Sequence, residues 1–154
     1  MNKEKIKTFL NDFTTKFLNK PGNKLLNECT LEICNNLLDY YSLINVSKKN
    51  PCRIKNIPEN QIIWVIKDST GLILSSLYMT YIYTSKKKKI LQWSYSYTRN
   101  DIKYRRCGLN IALRLASMIW ANHNKWDYMN SVPFPDSNSN YILKKMNFQY
   151  IDKL

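Results

Sequence analysis

Residues 95–110 of the chain read YSYTRNDIKYRRCGLN, and the helix-forming run IALRLA follows at residues 111–116. The alternating aromatic and hydroxyl side chains predict a strand that ends near Thr98, and a basic loop then leads to Gly108 at the start of an amphipathic helix. A helix N-terminus exposes N–H groups at the positive end of the helix dipole, so it binds phosphate well. Glycine permits a positive φ, and the chain has only three glycines. The segment therefore predicts a phosphate-binding loop.

The sequence on both sides of this segment predicts one domain with strands and helices. Asp68–Gly71 is a turn signal between two β-branched and aromatic runs, and a third run ends at Thr98, so three antiparallel strands are expected. Four lysines, Lys86–Lys89, lie at the tip of the second hairpin, where a solvated turn and a nucleic-acid contact are both open interpretations. The predicted strands are 61–66, 72–84, 90–98, 128–132 and 148–151, and the predicted helices after Gly108 are 108–122 and 136–146.

The first 60 residues are predicted to be helical. Apolar residues recur at helical spacing at Ile6, Phe9, Leu10, Phe13 and Phe17, and Pro21-Gly22 is expected to end that helix. A second helix is predicted from about Thr30 to Ile44. Its inner face would carry Leu31, Cys34, Leu38 and Tyr41. Its opposite face would carry Glu28, Glu32 and Asp39, either as a solvated acidic surface or as an attraction for a cationic acceptor.

The composition limits the class of protein and its partners. A chain of 154 residues with 44% hydrophobic residues can bury the core of one domain. The formal charge of +13 favours polyanionic partners such as nucleic acid, an anionic membrane or a phosphorylated cofactor. Four cysteines without CxxC spacing and a single histidine predict no metal site, and unpaired thiols favour a reducing compartment.

The location predicted for the chain is the cytoplasm. The amphipathic N-terminus does not resemble a signal peptide, and the longest apolar stretch, residues 72–83, is too short to span a bilayer. The heavy use of Asn, Lys, Ile and Tyr is typical of an AT-rich genome, such as that of a large DNA virus, for which the location would be the host cytoplasm.

A second informative block lies downstream, where residues 136–148 read DSNSNYILKKMNF. Residues 105–110 resemble the Q/R-x-x-G-x-G/A motif of the GCN5-related N-acetyltransferase (GNAT) superfamily, and the downstream block resembles that family's N-x-x-A/S-x-x-x-Y-x-K-x-G-F block. Ser139, Lys145 and Phe148 match the second pattern. Leu143 stands where the family commonly has a tyrosine that protonates the departing thiolate. The other departures are Asn110, Asp136 and Asn147.

The resemblance, which covers residues 61–154, implies a fold, a cosubstrate and binding residues. The implied fold is α/β (α+β), with a central mixed, mostly antiparallel sheet flanked by about four helices. Residues 1–154 would form one domain, with residues 1–60 on the acceptor side and 61–154 as the cofactor core. The implied cosubstrate is acetyl-coenzyme A, whose pantetheine arm would lie near Ser139. Its pyrophosphate would be bound by the backbone amides of Arg105, Arg106, Cys107, Gly108, Leu109 and Asn110. The side chains of Arg105 and Arg106 would neutralise phosphate charge nearby.

The resemblance also implies a mechanism, in which a neutral amine attacks the thioester directly while both substrates are bound. A backbone N–H at Thr98 or its neighbour would polarise the thioester carbonyl. No Asp or Glu occurs in residues 90–98, so Tyr95, Tyr97 and ordered water are the candidates that accept the amine proton. Covalent catalysis by Cys107 is disfavoured, because the only histidine, His123, lies about a helix length away.

The acceptor is predicted to be a primary amine on a small molecule or a peptide, and the charge favours a modest or phosphorylated amine over a polycation. The alternative function is an inactive GNAT-fold binding module whose basic surface contacts nucleic acid or a protein partner, and Leu143 supports it. A membrane-surface role for the N-terminal helix is a third interpretation. The sequence also leaves open a homodimer that shares the last strand.

Overall fold

The computed structural model describes residues 1–20, 24–45, 56–105, 107–131 and 138–149. A five-stranded sheet in the order β1-β2-β3-β4-β5 forms its centre. The first four strands are antiparallel neighbours, and β5 is parallel to β4. The strands are β1 (Thr30–Ile33), β2 (Gln61–Lys67), β3 (Ile73–Tyr83), β4 (Lys89–Thr98) and β5 (Tyr128–Ser131), and the helices are α1 (Lys3–Phe13), α2 (Leu37–Asn45), α3 (Leu109–His123) and α4 (Asn138–Lys145).

The helices cover both faces of the sheet. Helices α1 and α3 pack on one face, where the side chains of Leu10, Trp64 and Leu113 are almost completely buried. Helix α2 packs on the other face through Tyr40 and Leu43. Complete burial of a large apolar side chain contributes about 1.5–3 kcal/mol, so both layers stabilise the sheet between them. The predicted class, a mixed and mostly antiparallel sheet flanked by helices, is confirmed.

The second predicted helix is wrong in its first half. Residues Thr30–Ile33 form β1, which pairs with β2 in the antiparallel register Leu31↔Ile66 and Ile33↔Trp64. Leu31 and Ile33 are buried while Thr30 is exposed, so the alternation of a strand, and not the spacing of a helix, describes this segment. The acidic Glu32 forms an ion pair with Lys67 across the two strands, at 3.1 Å.

Helix α2 begins only at Leu37, after the side chain of Asn36 accepts a hydrogen bond from the Leu38 amide at 2.9 Å. Its buried side is therefore shifted from the predicted one: Tyr40 and Leu43 are buried, and Leu38 is 76% exposed. Tyr41 is half-buried, and Glu28, Glu32 and Asp39 lie on a turn, a strand and a helix and share no helical face.

Two further boundaries differ from the prediction. Helix α1 ends at Phe13 and continues as a π-helical turn, Thr14–Leu18, which buries Leu18 and leaves Phe17 half exposed. At the other end of the chain, the predicted strand 148–151 is wrong for its described part. The Phe148 amide donates back to the Leu143 carbonyl at 3.0 Å, so Phe148 belongs to the C-terminal cap of α4. Pro21-Gly22 and residues 150–154 lie outside the described part.

Candidate functional site

Strand β4 carries a β-bulge at its centre. Tyr78 of β3 is paired with Tyr95 and the adjacent Met79 with Trp93, so Ser94 is the extra residue on β4. The Ser94 hydroxyl lies 3.0 Å from the Thr80 hydroxyl. Because a bulge shifts the alternation of side chains, Tyr95 and Tyr97 point to the face of the sheet that α2 covers, whereas Trp93 packs in the core beneath α3.

The described residues of β5 pair with the first part of β4. Among the described residues the parallel pairing runs from Ile90↔Tyr128 to Trp93↔Ser131, and β4 continues to Thr98 beyond it. The Arg99 amide donates to the Leu74 carbonyl of β3 at 2.8 Å. Since backbone groups alternate along an antiparallel strand, the N–H groups of Ser96 and Thr98 point away from β3. These two amides lie on the edge of β4 that faces away from β3 (residues 94–98), which we call the open edge because no described residue pairs with it.

The loop after β4 is ordered by short-range hydrogen bonds. Asp101 caps a 3₁₀ turn, Ile102–Tyr104, by accepting a hydrogen bond from the Lys103 amide, and the side chain of Tyr104 is buried. The Arg105 guanidinium donates to the side-chain oxygen of Asn100. The thiol of Cys107 contacts the Lys103 carbonyl at 3.1 Å. The described residues of the segment 99–108, called the Gly108 loop below, are therefore stabilised by hydrogen bonds within the segment.

Gly108 is the N-cap of α3 and has a left-handed backbone, with φ 79° and ψ 9°. Its carbonyl accepts the first helical hydrogen bond, from the Ala112 amide at 2.8 Å. The preceding amides, of Leu109, Asn110 and Ile111, belong to the first turn, where no intrahelical acceptor exists. Within the described part of the chain no side chain caps this turn. The first turn of α3 can therefore donate N–H groups to an anion.

The buried side of α3 holds a polar network directly behind this turn. Arg114 is 2% exposed, and its guanidinium stacks 4.7 Å above the ring of Trp93. The Arg114 Nε donates to the Asn110 Oδ1 at 2.7 Å, and a terminal nitrogen donates to the Ser96 hydroxyl at 3.1 Å. Burial lowers the pKa of Arg114 to about 10, and the group remains a cation at neutral pH. The network connects α3 with the open edge of β4.

Four tyrosines lie on the opposite face of the sheet, beside the same edge. Tyr78 contacts Tyr95 edge-to-face with ring centroids 5.9 Å apart, and Tyr40 of α2 contacts Tyr97 at 6.5 Å. Tyr95 is 55% exposed, and Tyr97 is half-buried. Both tyrosines proposed as proton acceptors therefore lie on the α2 side of β4, with Tyr95 open to solvent.

The described sequence-predicted site residues lie at the end of β4, in the Gly108 loop, on the first turn of α3 and on α4. Thr98, at the end of β4, has a hydroxyl 2.9 Å from that of Ser75, which itself donates to the Tyr97 carbonyl. Because a hydroxyl has one proton, Thr98 is the donor of this pair, so its side chain has a structural contact and its backbone faces the open edge. Arg106 lies outside the described residues. Ser139 belongs to the first turn of α4.

The family's tyrosine position is part of the core in this chain. Leu143 is 5% exposed, and Tyr141, which precedes it by two residues, is 60% exposed. Asn147 has φ 61°, a left-handed backbone that asparagine tolerates better than most residues, so it replaces the usual glycine without changing the turn.

Sequence reasoning did not single out Ser94, Ser96 or Arg114. The arginine had a signal: it interrupts an apolar run on the inner side of α3, four residues after Asn110.

The described part of the chain has no group of three or more His, Cys, Asp or Glu residues that could hold a metal ion. None of its described helices combines the length and the hydropathy needed to cross a membrane.

No protein-family model matches the sequence, and no curated protein matches it significantly. Solved structures do match, and acetyltransferases are among them. An aminoglycoside acetyltransferase from an uncultured soil metagenomic sample has a TM-score of 0.65 and 13% identity, over 83% of this chain and 92% of that chain. The ribosomal-protein-alanine N-acetyltransferase of Brucella melitensis biovar Abortus 2308 has a TM-score of 0.65 and 10% identity, over 82% and 95%.

The third structure is AAC(6')-Iy in complex with the bisubstrate analog CoA-S-monomethyl-acetylneamine, with a TM-score of 0.65 and 12% identity, over 82% of this chain and 94% of that chain. At such identities the comparison establishes the fold. The chain has the fold of the GCN5-related N-acetyltransferases, as the motifs around Gly108 predicted.

Proposed function

We propose that this protein is an acetyl-coenzyme A-dependent N-acetyltransferase that acts on a primary amine of a small molecule or a peptide. One observation carries the proposal: the uncapped first turn of α3, which begins at the left-handed Gly108, lies next to the open edge of β4. A similar structure with a CoA-containing bisubstrate analog supports a coenzyme A site in this fold.

In this proposal the diphosphate of coenzyme A is bound at the first turn of α3. The amides of Gly108, Leu109 and Asn110 donate to the phosphate oxygens, and the helix dipole favours the negative charge. Arg105 and Arg106 supply positive charge nearby, Cys107 contributes its backbone, and Ser139 lies near the pantetheine arm. Beyond the chain neighbours of Gly108, no atom of the described residues lies within 4 Å of the position that a Cβ would take there, so this turn has room for a ligand.

Acetyl-coenzyme A, when bound, supplies the acetyl group as a thioester. The Thr98 amide at the open edge polarises the thioester carbonyl, and the strand orients it for the acceptor amine. Attack by the neutral amine forms the C–N bond and breaks the C–S bond, coenzyme A leaves as the thiolate, and the amine proton passes to solvent through Tyr95, Tyr97 or an ordered water. A thiolate is a good leaving group because thiols are far more acidic than alcohols, so the buried Leu143 in place of a tyrosine is compatible with turnover.

The acceptor in this proposal approaches from the face that carries α2 and the tyrosines. Tyr95 presents more than half of its surface there. The overall charge of +13 disfavours a polycationic acceptor, so an amine with few positive charges is expected. The lysine hairpin (Lys86–Lys89) has a structural contact at the other end of β4. The Lys89 amide donates a hydrogen bond to Asp127, and the Lys88 ammonium forms an ion pair with it.

The test is a calorimetric titration of the protein with acetyl-coenzyme A, followed by an amine panel with detection of the released thiol. We expect saturable binding, and thiol release that depends on an added amine. Gly108→Glu places a carboxylate at the diphosphate position and is expected to lower the affinity at least about 100-fold, while Gly71→Glu is the matched control at another left-handed glycine.

Failure of the parent protein to bind acetyl-coenzyme A would remove the enzyme proposal. Equal binding by the parent and by Gly108→Glu would show that the cosubstrate lies elsewhere. Binding without thiol release for any amine would favour the alternative of an inactive binding module.

A further inference from the structure

Arg114 is a buried arginine in a helix whose other inward residues are small or apolar. Moving a guanidinium out of water is costly, so its position needs compensating contacts. The ring of Trp93 and the hydroxyl of Ser96 fix the guanidinium from the sheet side. The indole N–H of Trp93 binds Ser117, whose hydroxyl donates to the Arg114 carbonyl at 2.7 Å. The Nε of Arg114 is thereby held at one place along α3.

That place is one helical turn behind Asn110, whose Oδ1 accepts the Nε–H at 2.7 Å. Asparagine side chains readily accept hydrogen bonds from nearby backbone N–H groups, above all at helix N-termini. An unrestrained Asn110 carbonyl oxygen would therefore compete for the first-turn amides of α3 or occupy the space in front of them. Its bond to Arg114 directs that oxygen along the helix, away from these amides.

We propose that Arg114 is a positioning residue for the diphosphate site: it holds the Asn110 side chain away from the first-turn amides of α3 and so keeps those amides available to the cosubstrate. The inference rests on the acetyl-coenzyme A site proposed above. Arg114 acts through Asn110 and touches neither the acetyl group nor the acceptor.

The experiment is a double-mutant cycle on the full chain, with dissociation constants measured by calorimetry. Arg114→Met is made in the native background and in Asn110→Ala, and each protein is titrated with acetyl-coenzyme A and with S-acetylpantetheine, which lacks the diphosphate. In the native background we expect Arg114→Met to weaken acetyl-coenzyme A binding about tenfold, the size of one lost hydrogen bond to a charged group. With Ala at position 110 the same substitution should cost less than about twofold.

S-acetylpantetheine separates positioning from general damage to the fold, since its affinity should change less than about twofold between Arg114→Met and the parent. Arg114→Lys keeps the charge but lacks the Nε–H of the planar guanidinium, so it should also weaken acetyl-coenzyme A binding about tenfold. It replaces Arg114→Met in the experiment if that variant does not fold.

Three results would overturn the proposal and leave the site itself in place. The first is an unchanged affinity of Arg114→Met for acetyl-coenzyme A, and the second is an equal loss of affinity with Asn and with Ala at position 110. The third is full affinity of Arg114→Lys, which would show that only the charge of Arg114 matters. Absence of acetyl-coenzyme A binding to the parent chain would instead refute the proposed function and the role of Arg114 with it.

Discussion

The two halves of the molecule differ in how their structure is encoded. In residues 61–154, the proposed cofactor half, the elements from β4 through the Gly108 loop to α3 each carry a local signal: a turn glycine, a strand alternation or a helical apolar face. In residues 1–60, the proposed acceptor half, β1 depends on a partner more than 30 residues away, since it exists through its pairing with β2. A regular spacing of apolar residues was therefore not enough to assign β1, whose partner strand lies far away in the sequence.

The largest expected effect contrasts two leucines of α2. Leu43 is 1% exposed and packs under the sheet, whereas Leu38 is 76% exposed. Leu43→Ala should lower the free energy of unfolding by about 2–5 kcal/mol, while Leu38→Ala should change it by less than about 0.5 kcal/mol. Urea unfolding of both variants measures the difference. Similar losses of stability in the two variants would support the continuous helix 30–44 predicted from the sequence, in which Leu38 is an inner residue.

The second contrast compares Gly108 with Gly71, which have φ 79° and φ 85°. Alanine at either position should cost roughly 1–2 kcal/mol of stability, because both sites hold a left-handed backbone. Only Gly108→Ala should also weaken acetyl-coenzyme A binding, since its strain falls on the first turn of α3. Thermal unfolding and calorimetry together measure the two effects. Loss of binding in Gly71→Ala alone would place the cosubstrate at the β2–β3 turn.

The smallest effect is a pH dependence that originates in the acceptor half. Burial raises the pKa of the Cys29 thiol to about 11, from 9.0 in the unfolded chain. A raised pKa means that the folded state keeps its proton longer, so stability is unaffected below pH 9 and falls as the pH rises towards 11. At pH 10 the loss should be about 1 kcal/mol, and Cys29→Ala should flatten this slope. Identical slopes for both proteins from pH 9 to 10.5 would contradict a buried thiol.

Much of the cofactor half could be predicted from the sequence. β2, β3, β4, α3 and β5 lie within about one residue of their predicted bounds, since turn residues and apolar periodicity determine them locally. Gly108 was predicted at the start of α3, and its left-handed φ is what the absence of a Cβ allows.

The errors have physical causes of two kinds. Thr30–Ile33 form a strand because edge pairing with β2 buries Leu31 and Ile33, and an alternation over only four residues is too short to distinguish a strand from a helix in the sequence. The polar network was missed because Ser96 and Arg114 are 18 residues apart and meet only when α3 packs on β4. The bulge at Ser94, which determines where Tyr95 points, likewise depends on the register with β3.

The most direct test of the account follows backbone amide signals by nuclear magnetic resonance during a titration with acetyl-coenzyme A. The account predicts that the largest shifts occur at Gly108, Leu109 and Asn110 and, at the open edge of β4, at Thr98. Saturable binding with the largest shifts in the lysine hairpin Lys86–Lys89, and none in the first turn of α3, would contradict it.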